Sequence, residues 1–145
     1  MDYEPIRKAL AGAIPMVGHI GIQVTEVGPG RGVAVLPDDP RILNHVQAQH
    51  AAGLFAVAET ASGAAMTGAL FQHMAGATPL AKGASISYLR LARGPITATA
   101  DFPEAEAARV VAALAASGKA EFAIDVALTN AEGKDVAKST VDWLG

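Results

Sequence analysis

The sequence predicts an α+β domain in which an antiparallel sheet wraps one long buried helix. Three observations carry this expectation. Short segments of alternating apolar and polar residues come in pairs joined by glycine-rich turns, the mark of antiparallel hairpins. Ala51 to Leu70 is a 20-residue stretch with a single charge, Glu59, and a helix apolar on every side is one that other elements cover. The chain has 145 residues, 51% hydrophobic and 17% charged; that is enough for one core and too little for two, so residues 1–145 read as a single domain. Alanine occurs 32 times and aromatics make up 5%, so the elements can approach closely.

In chain order, residues 4–13 form a short amphipathic helix, with Ile6, Leu10 and Ile14 spaced by four. Ile20 to Val27 alternates as a half-buried strand, Ile20, Ile22 and Val24 facing one way and Gln23 and Thr25 the other. Gly28-Pro29-Gly30-Arg31-Gly32 turns the chain, and Val33 to Leu36 is the returning strand. This Gly-x-Gly-x-Gly has neither the following helix nor the Lys-Ser/Thr of a phosphate loop, so it reads as a hairpin turn. A loop from Pro37 to Gln49 leads to the long helix, about residues 49–71, and a second loop runs from His73 to Pro79. Strands at Lys82 to Leu91 and Ile96 to Phe102 are joined at Arg93-Gly94-Pro95. Pro103 opens a helix whose first turn carries Glu104 and Glu106, favourable at the positive end. Ala107, Val110, Val111 and Leu114 share one face, and Gly118 stops that helix. Phe122, Ile124, Val126 and Leu128 alternate along a strand, Asn130 to Gly133 turns it, and a final strand ends near Trp143. Six short strands leave open edges, for which oligomerisation is the expected remedy.

Composition excludes several classes. Cysteine is absent, which removes disulfide scaffolds, thiolate metal sites and thiol nucleophiles. A net charge of −3 argues against nucleic acid and anionic membranes as partners. Met1-Asp2-Tyr3-Glu4-Pro5 carries two acids and no apolar run, so no secretory signal is expected and the expected location is cytoplasmic. Ala51 to Leu70 has the length of a membrane span. It is mostly Ala, Gly, Ser and Thr, however, with a carboxylate near its middle that costs about 2.5–3.5 kcal/mol or more in a bilayer. A helix buried inside the fold is the better reading.

The distribution of charge points to chemistry. Between Asp39 and Asp101 lie 61 residues with one carboxylate, Glu59, and four basic groups, Arg41, Lys82, Arg90 and Arg93. A lone carboxylate on an apolar helix is costly unless it is paired, solvated or functional; the functional reading is a base or nucleophile. The approach to the helix, Asn44-His45-Val46-Gln47-Ala48-Gln49-His50, crowds polar side chains ahead of Ala51, Ala52 and Gly53. These polar residues can simply cap the helix, or the free N–H groups of its first turn can bind a developing oxyanion. His50 and Glu59 are nine residues apart, about 180° of net rotation on a regular helix. They point opposite ways, so two chains about a two-fold axis are the way to unite the helix start and Glu59 in one site. His45 and His50 are five apart, not the i, i+4 of a helical ligand pair, so no metal is expected. Ser62 has Thr60 and Ala64 where a hydrolase elbow needs glycines. His19 and His73 are isolated.

Asn44, His50, Ala51, Ala52 and Glu59, spaced Asn-x5-His-Ala-Ala-x6-Glu, resemble the signature of hotdog-fold acyl-CoA thioesterases of the PaaI-like type. Those carry Asn, His-Gly-Gly and an acid nine residues after the His. Ser85 to Gly94, Ser-Ile-Ser-Tyr-Leu-Arg-Leu-Ala-Arg-Gly, is similar to their strand motif ending in Arg-Pro-Ala and a glycine turn. The resemblance spans roughly residues 16–142. It implies a sheet wrapped round the central helix, a homodimer or homotetramer, and acyl-CoA substrates. In it Glu59 is general base or nucleophile, the Ala51 N–H polarises the thioester carbonyl, Asn44 orients the water or carbonyl from the same subunit as Ala51, and His50 shapes the region. Ala51 and Ala52 stand where the family has glycines, Leu91 replaces its common proline, and Ala81 falls where some relatives place a hydroxyl.

A thioester is an activated acyl group. A positioned base, worth typically 10²–10⁴-fold, and an oxyanion donor, worth about 10²–10³-fold, suffice for its hydrolysis. No cofactor is expected, CoA being part of the substrate. Its phosphates need local basic groups, for which Lys82, Arg90 and Arg93 are the candidates, with Arg41 behind them. The acyl pocket is expected among the small residues of the long helix with Leu54, Phe55 or Met66. The alternative is an acyl-CoA-binding or sensor protein of the same fold without turnover. A hotdog dehydratase or hydratase is disfavoured, because those set their His and Glu farther apart than nine residues.

Overall fold

Small side chains decide how closely the elements meet. The computed structural model describes residues 1–74 and 77–145; Ala75 and Gly76, within the expected loop from His73 to Pro79, lie outside them. Helices α1 (Glu4–Ala13) and α2 (Pro15–Ile20) precede strands β1 (Gln23–Gly28) and β2 (Arg31–Leu36). The long helix α3 (Ala51–Leu70) leads to β3 (Leu80–Tyr88) and β4 (Ile96–Asp101). Helix α4 (Glu104–Ser117), β5 (Glu121–Thr129) and β6 (Asp135–Leu144) complete the chain. All strand pairs are antiparallel, in the order β1-β2-β4-β5-β6-β3.

The sheet curls round α3, which packs chiefly on β2 and β4. Val57, Ala58, Ala61 and Ala65 of α3 are fully buried against Leu36, Ile96, Ala98, Ile124 and Leu128 from the strands. Two crossings are so tight that only glycine fits. A Cβ at Gly32 would strike the carbonyl oxygen of Ala61 and the N–H of Ala65, and one at Gly68 would strike the carbonyl of Gly28. Ala51–His73 is long and apolar enough to cross a membrane, but more than half of its most apolar window is covered by the rest of the chain, the behaviour of a core helix. At one end of the core α4 inserts Val110, and Phe102 and Phe122 stack with ring centres 5.3 Å apart. On the opposite side α1 lays Tyr3, Ile6 and Leu10 over Val24, Val27 and Ala64.

The structure departs from the sequence expectations in three places. Residues 15–20, whose last member was assigned to the first strand, form α2. Pro15 is accommodated in a first helical turn, and Gly21, at φ 90°, ends α2 with its N–H on Val17 O, 3.1 Å. α3 begins at Ala51 rather than 49, because Gln47 is left-handed at φ 64° and Gln49 bridges to Leu43. β3 and β4 do not form a hairpin. β3 ends at Tyr88, and the chain from 89 to 95 crosses from the sheet edge to its middle. There β4 pairs with β2 and β5, while β3 pairs only with β6. The hairpin turns at Pro29-Gly30 and Asn130–Lys134 are as expected; Asn130 Oδ1 accepts from the N–H groups of Glu132 and Lys134 at 3.0 Å each.

Candidate active site

The start of α3 is built by the loop before it. Asn44 Oδ1 accepts from the N–H groups of Val46 and Ala48, both at 3.0 Å, while its Nδ2 makes only a 3.5 Å contact with Gln49 O. One side of the amide therefore shapes the loop and the other retains a donor. His50 is the N-cap of α3, its Nδ1 accepting from Ala52 N–H at 2.9 Å. A neutral ring then carries its proton on Nε2. Ala51 occupies the first helical position. Its carbonyl accepts from Tyr88 Oη at 3.2 Å, and among the described residues its N–H has no acceptor. Such an N–H at the positive end of a 20-residue helix is a ready donor to a developing negative charge.

Gln49 is the residue that sequence reasoning passed over as one polar side chain among several. It is 3% exposed, and its Nε2 donates to Pro37 O and Gly94 O at 2.9 Å each. Its N–H donates to Ala92 O at 2.8 Å. It ties the helix start to the segments after β2 and before β4. Those partners lie 12 and 45 residues away in sequence, which is why local spacing did not single it out.

Glu59 lies half-buried in the middle of α3, with no hydrogen-bond or ion-pair partner for its carboxylate among the described residues. It is the one charged group on the wall of a cavity of about 250 Å³ between α1–α2 and α3. The remaining wall is mostly aliphatic, with Leu10, Ile22, Val24 and Met66 inside and Ile14 and Met16 at the exposed rim. Of the acyl-pocket candidates, small residues of α3 such as Ala56, Gly63 and Ala64 line this cavity, and of the three larger ones Met66 does. Leu54 is buried in the core and Phe55 is 38% exposed. The backbone turn that carries Glu59 is held by its own carbonyl, which accepts from Ser62 Oγ at 2.7 Å; Ser62 Oγ accepts from Trp143 Nε1 at 3.2 Å.

Ala51 and Glu59 are eight residues apart on one helix, about 12 Å along its axis. Within one chain the free N–H and the carboxylate do not meet at one carbonyl group. The basic residues also separate. Arg93 Nη1 lies 3.4 Å from Val46 O and from Gln47 O, beside the helix start, and exposed Arg90 sits in the same 89–95 segment. Lys82 is six residues from Tyr88 on β3, roughly 20 Å away, and its Nζ pairs with Glu121 at 3.1 Å. In a single chain it does not join Arg90 and Arg93. Arg41 is bound to Asp39 at 2.7 Å and holds that carboxyl down at about 2. Among the described residues no group of three His, Asp or Glu is arranged to hold a metal ion.

The family profile described as Domain of unknown function (DUF4442) matches residues 4–144. No curated protein is similar enough to count as a relative. Solved structures resemble the chain over nearly its whole length. A Pseudomonas aeruginosa protein of unknown function, named a probable thioesterase, is 23% identical with a TM-score of 0.82, over 99% of this chain and 95% of that one. A Chlorobaculum tepidum protein of unknown function is 18% identical with a TM-score of 0.81, over 97% and 91%. The PaaI protein of the E. coli phenylacetic acid degradation operon is 20% identical with a TM-score of 0.71, over 94% and 87%. The six-stranded antiparallel sheet wrapped on α3 is thus the hotdog fold, and the chain belongs to the DUF4442 family.

Proposed function

We propose that the protein hydrolyses acyl-CoA or a related acyl thioester to free acid and thiol, at a site shared by two copies of the chain. The observation that carries this reading is Glu59, a carboxylate without a partner among the described residues, on the wall of a mostly aliphatic cavity. Such a group is suited to activating water, or to attacking an acyl carbon itself, where bulk water is excluded. Similarity in fold to a probable thioesterase supports the reaction class.

The second copy answers the 12 Å separation. β3 is an edge strand, exposed along its length except at half-buried Ile86. Around its loop end Val46, Phe55, Tyr88, Leu89 and Leu91 are exposed apolar residues. An unpaired edge flanked by apolar side chains favours pairing with a second β3. Antiparallel pairing about a two-fold axis sets the two α3 helices antiparallel, the start of one facing the middle of the other. Each site then takes the Ala51 N–H, Asn44 and His50 from one subunit and Glu59 from its partner; a dimer of dimers extends the same assembly. Ala51 N–H polarises the thioester carbonyl, Asn44 Nδ2 donates to the carbonyl or the water, and His50 holds the first turn through Ala52. Arg90 and Arg93 hold the CoA phosphates, and strand pairing carries the second copy's Lys82 toward them. A cytoplasmic location belongs to the same reading.

Subunit mixing tests it. Asn44→Ala chains and Glu59→Gln chains, each inactive alone, are unfolded and refolded together, and release of free thiol from acyl-CoA is followed. In a mixed dimer one site carries both lesions and the other neither. Random assortment makes about half the dimers mixed, so roughly a quarter of wild-type activity returns. No recovery in verified mixed dimers overturns the shared site, and a wild-type chain that binds acyl-CoA without releasing thiol overturns hydrolysis.

A further inference from the structure

The cavity beside Glu59 says which acyl group fits, an inference that rests on the thioesterase reading. An apolar cavity of roughly 150 Å³ accepts benzene, about 25 Å³ per carbon. The cavity here measures about 250 Å³, which at that density holds about eight to ten carbons. A shorter acyl group leaves part of it unfilled, and atoms lining a void forfeit their dispersion contacts.

The polar inventory of the wall narrows the choice further. Besides Glu59 it contains two hydroxyls, and both direct their protons onto the helix itself. Thr60 Oγ1 donates to Ala56 O at 2.7 Å and Thr67 Oγ1 to Gly63 O at 2.8 Å. Trp143 Nε1 is spent on Ser62. A carbonyl or other acceptor-only group on the acyl chain would be buried without a donor, a loss of about tenfold to a hundredfold in affinity. We propose that this cavity takes an acyl group of about eight to ten carbons without an internal carbonyl, with Gly63 as the residue that leaves room for it. The acyl group lies in the subunit that supplies Glu59, and the CoA portion runs toward the subunit that supplies Ala51.

Gly63 is the place to test this. A Cβ there would stand 3.7 Å from the Trp143 ring, an ordinary contact, and Gly63 and Trp143 both line the cavity, so a larger side chain takes up cavity space. For the wild-type protein, kcat/KM is measured with straight-chain acyl-CoA thioesters from acetyl to palmitoyl and with 7-oxooctanoyl-CoA. Each methylene should add about fourfold until the cavity is full, so octanoyl exceeds butyryl on the order of a hundredfold. The 7-oxo chain should fall below octanoyl, because its ketone finds no donor. In Gly63→Leu the octanoyl-to-butyryl ratio should fall below one. In Leu10→Ala, which opens the roof, the optimum should lengthen by about three carbons. Calorimetric titration of S-alkyl-CoA thioethers, which cannot be hydrolysed, reads the same preference without turnover. Turnover that is flat in chain length, or as high for the 7-oxo chain as for octanoyl, overturns the pocket assignment and leaves thioester hydrolysis standing. Chain-length-dependent thioether binding with no turnover of any thioester upholds the pocket and removes the hydrolase. A Gly63→Leu protein that folds and keeps the wild-type preference overturns the assignment of Gly63.

Discussion

The two sides of α3 are made from similar small residues and do opposite things. Toward the sheet, Val57, Ala58, Ala61, Ala65 and Gly68 are buried, and the packing leaves no room for one more carbon opposite Gly32 or Gly68. Toward α1 and α2, the stripe of Ala56, Glu59, Thr60, Gly63 and Thr67 is half-buried and borders empty space. Its spacing of three and four keeps it on one helix face. Small side chains close the first interface because backbones come to them. They open the second because α1 and α2 are held off by the rim and roof side chains Leu10, Ile14 and Met16. A helix of uniformly small residues can therefore seal a core on one side and present a carboxylate to a cavity on the other. The sequence of α3 alone does not tell the two sides apart.

Apart from loss of the Glu59 charge, Ala51→Pro should give the largest effect, a fall of about 10²–10³-fold in kcat with the fold kept. Proline is well accepted at the first helical position, and His50, at φ −66° and ψ 142°, already has the conformation that precedes a proline. The substitution therefore deletes one N–H and little else. Unfolding by circular dichroism, or unchanged thioester turnover, would place the helix start on the structural side of the comparison. The same change on opposite faces comes next. Gly32→Ala should cost about 3 kcal/mol or more, because the new methyl meets the α3 backbone. Gly63→Ala should stabilise by about 0.5–1 kcal/mol, the ordinary gain of replacing a helical glycine where there is room. Urea unfolding of both variants reads the difference, and equal effects would break the distinction between the faces. The smallest effect is expected away from α3. The folded Asp39 carboxyl sits at about 2 because Arg41 binds it, against an ordinary 3.8. Its folded value is depressed, so its contribution is present above about pH 4 and is lost as pH falls toward 2. Asp39→Asn should be slightly less stable than wild type at about pH 5 and equal to it near pH 2, in paired thermal melts. The pair is open to solvent, so the difference is small.

Part of this architecture is visible in the residue string. Gly30 and Gly133, at φ 80° and 78°, mark turns that only the chain between alternating strands would need, and both hairpins follow. The partner of β3 is not visible, because alternation tells which side chains face inward and not which strand lies alongside. Lys82 looked like one of three neighbouring cations. Its actual partner, Glu121, is 39 residues away, across the β3·β6·β5 ladder. At the helix start, His50 and Ala51 were legible from their position before an apolar run. The burial of Gln49 was not, because its acceptors belong to segments that only the fold brings together. Glu59 was legible as the sole acid of its region, while the cavity beside it comes from α2, an element that begins where the pattern suggested strand.

The most direct measurement is of Glu59→Gln, read twice on one preparation. The substitution keeps the shape of the side chain and removes its charge. Because the carboxylate has no partner among the described residues, its loss should leave the melting temperature within about 2 °C of wild type, less than 1 kcal/mol for a chain of this size. If Glu59 carries the hydrolysis, kcat on an acyl-CoA thioester should fall by about 10²–10⁴-fold. A kcat within about tenfold of wild type would contradict the assignment, and so would a fall that comes with a collapse in thermal stability.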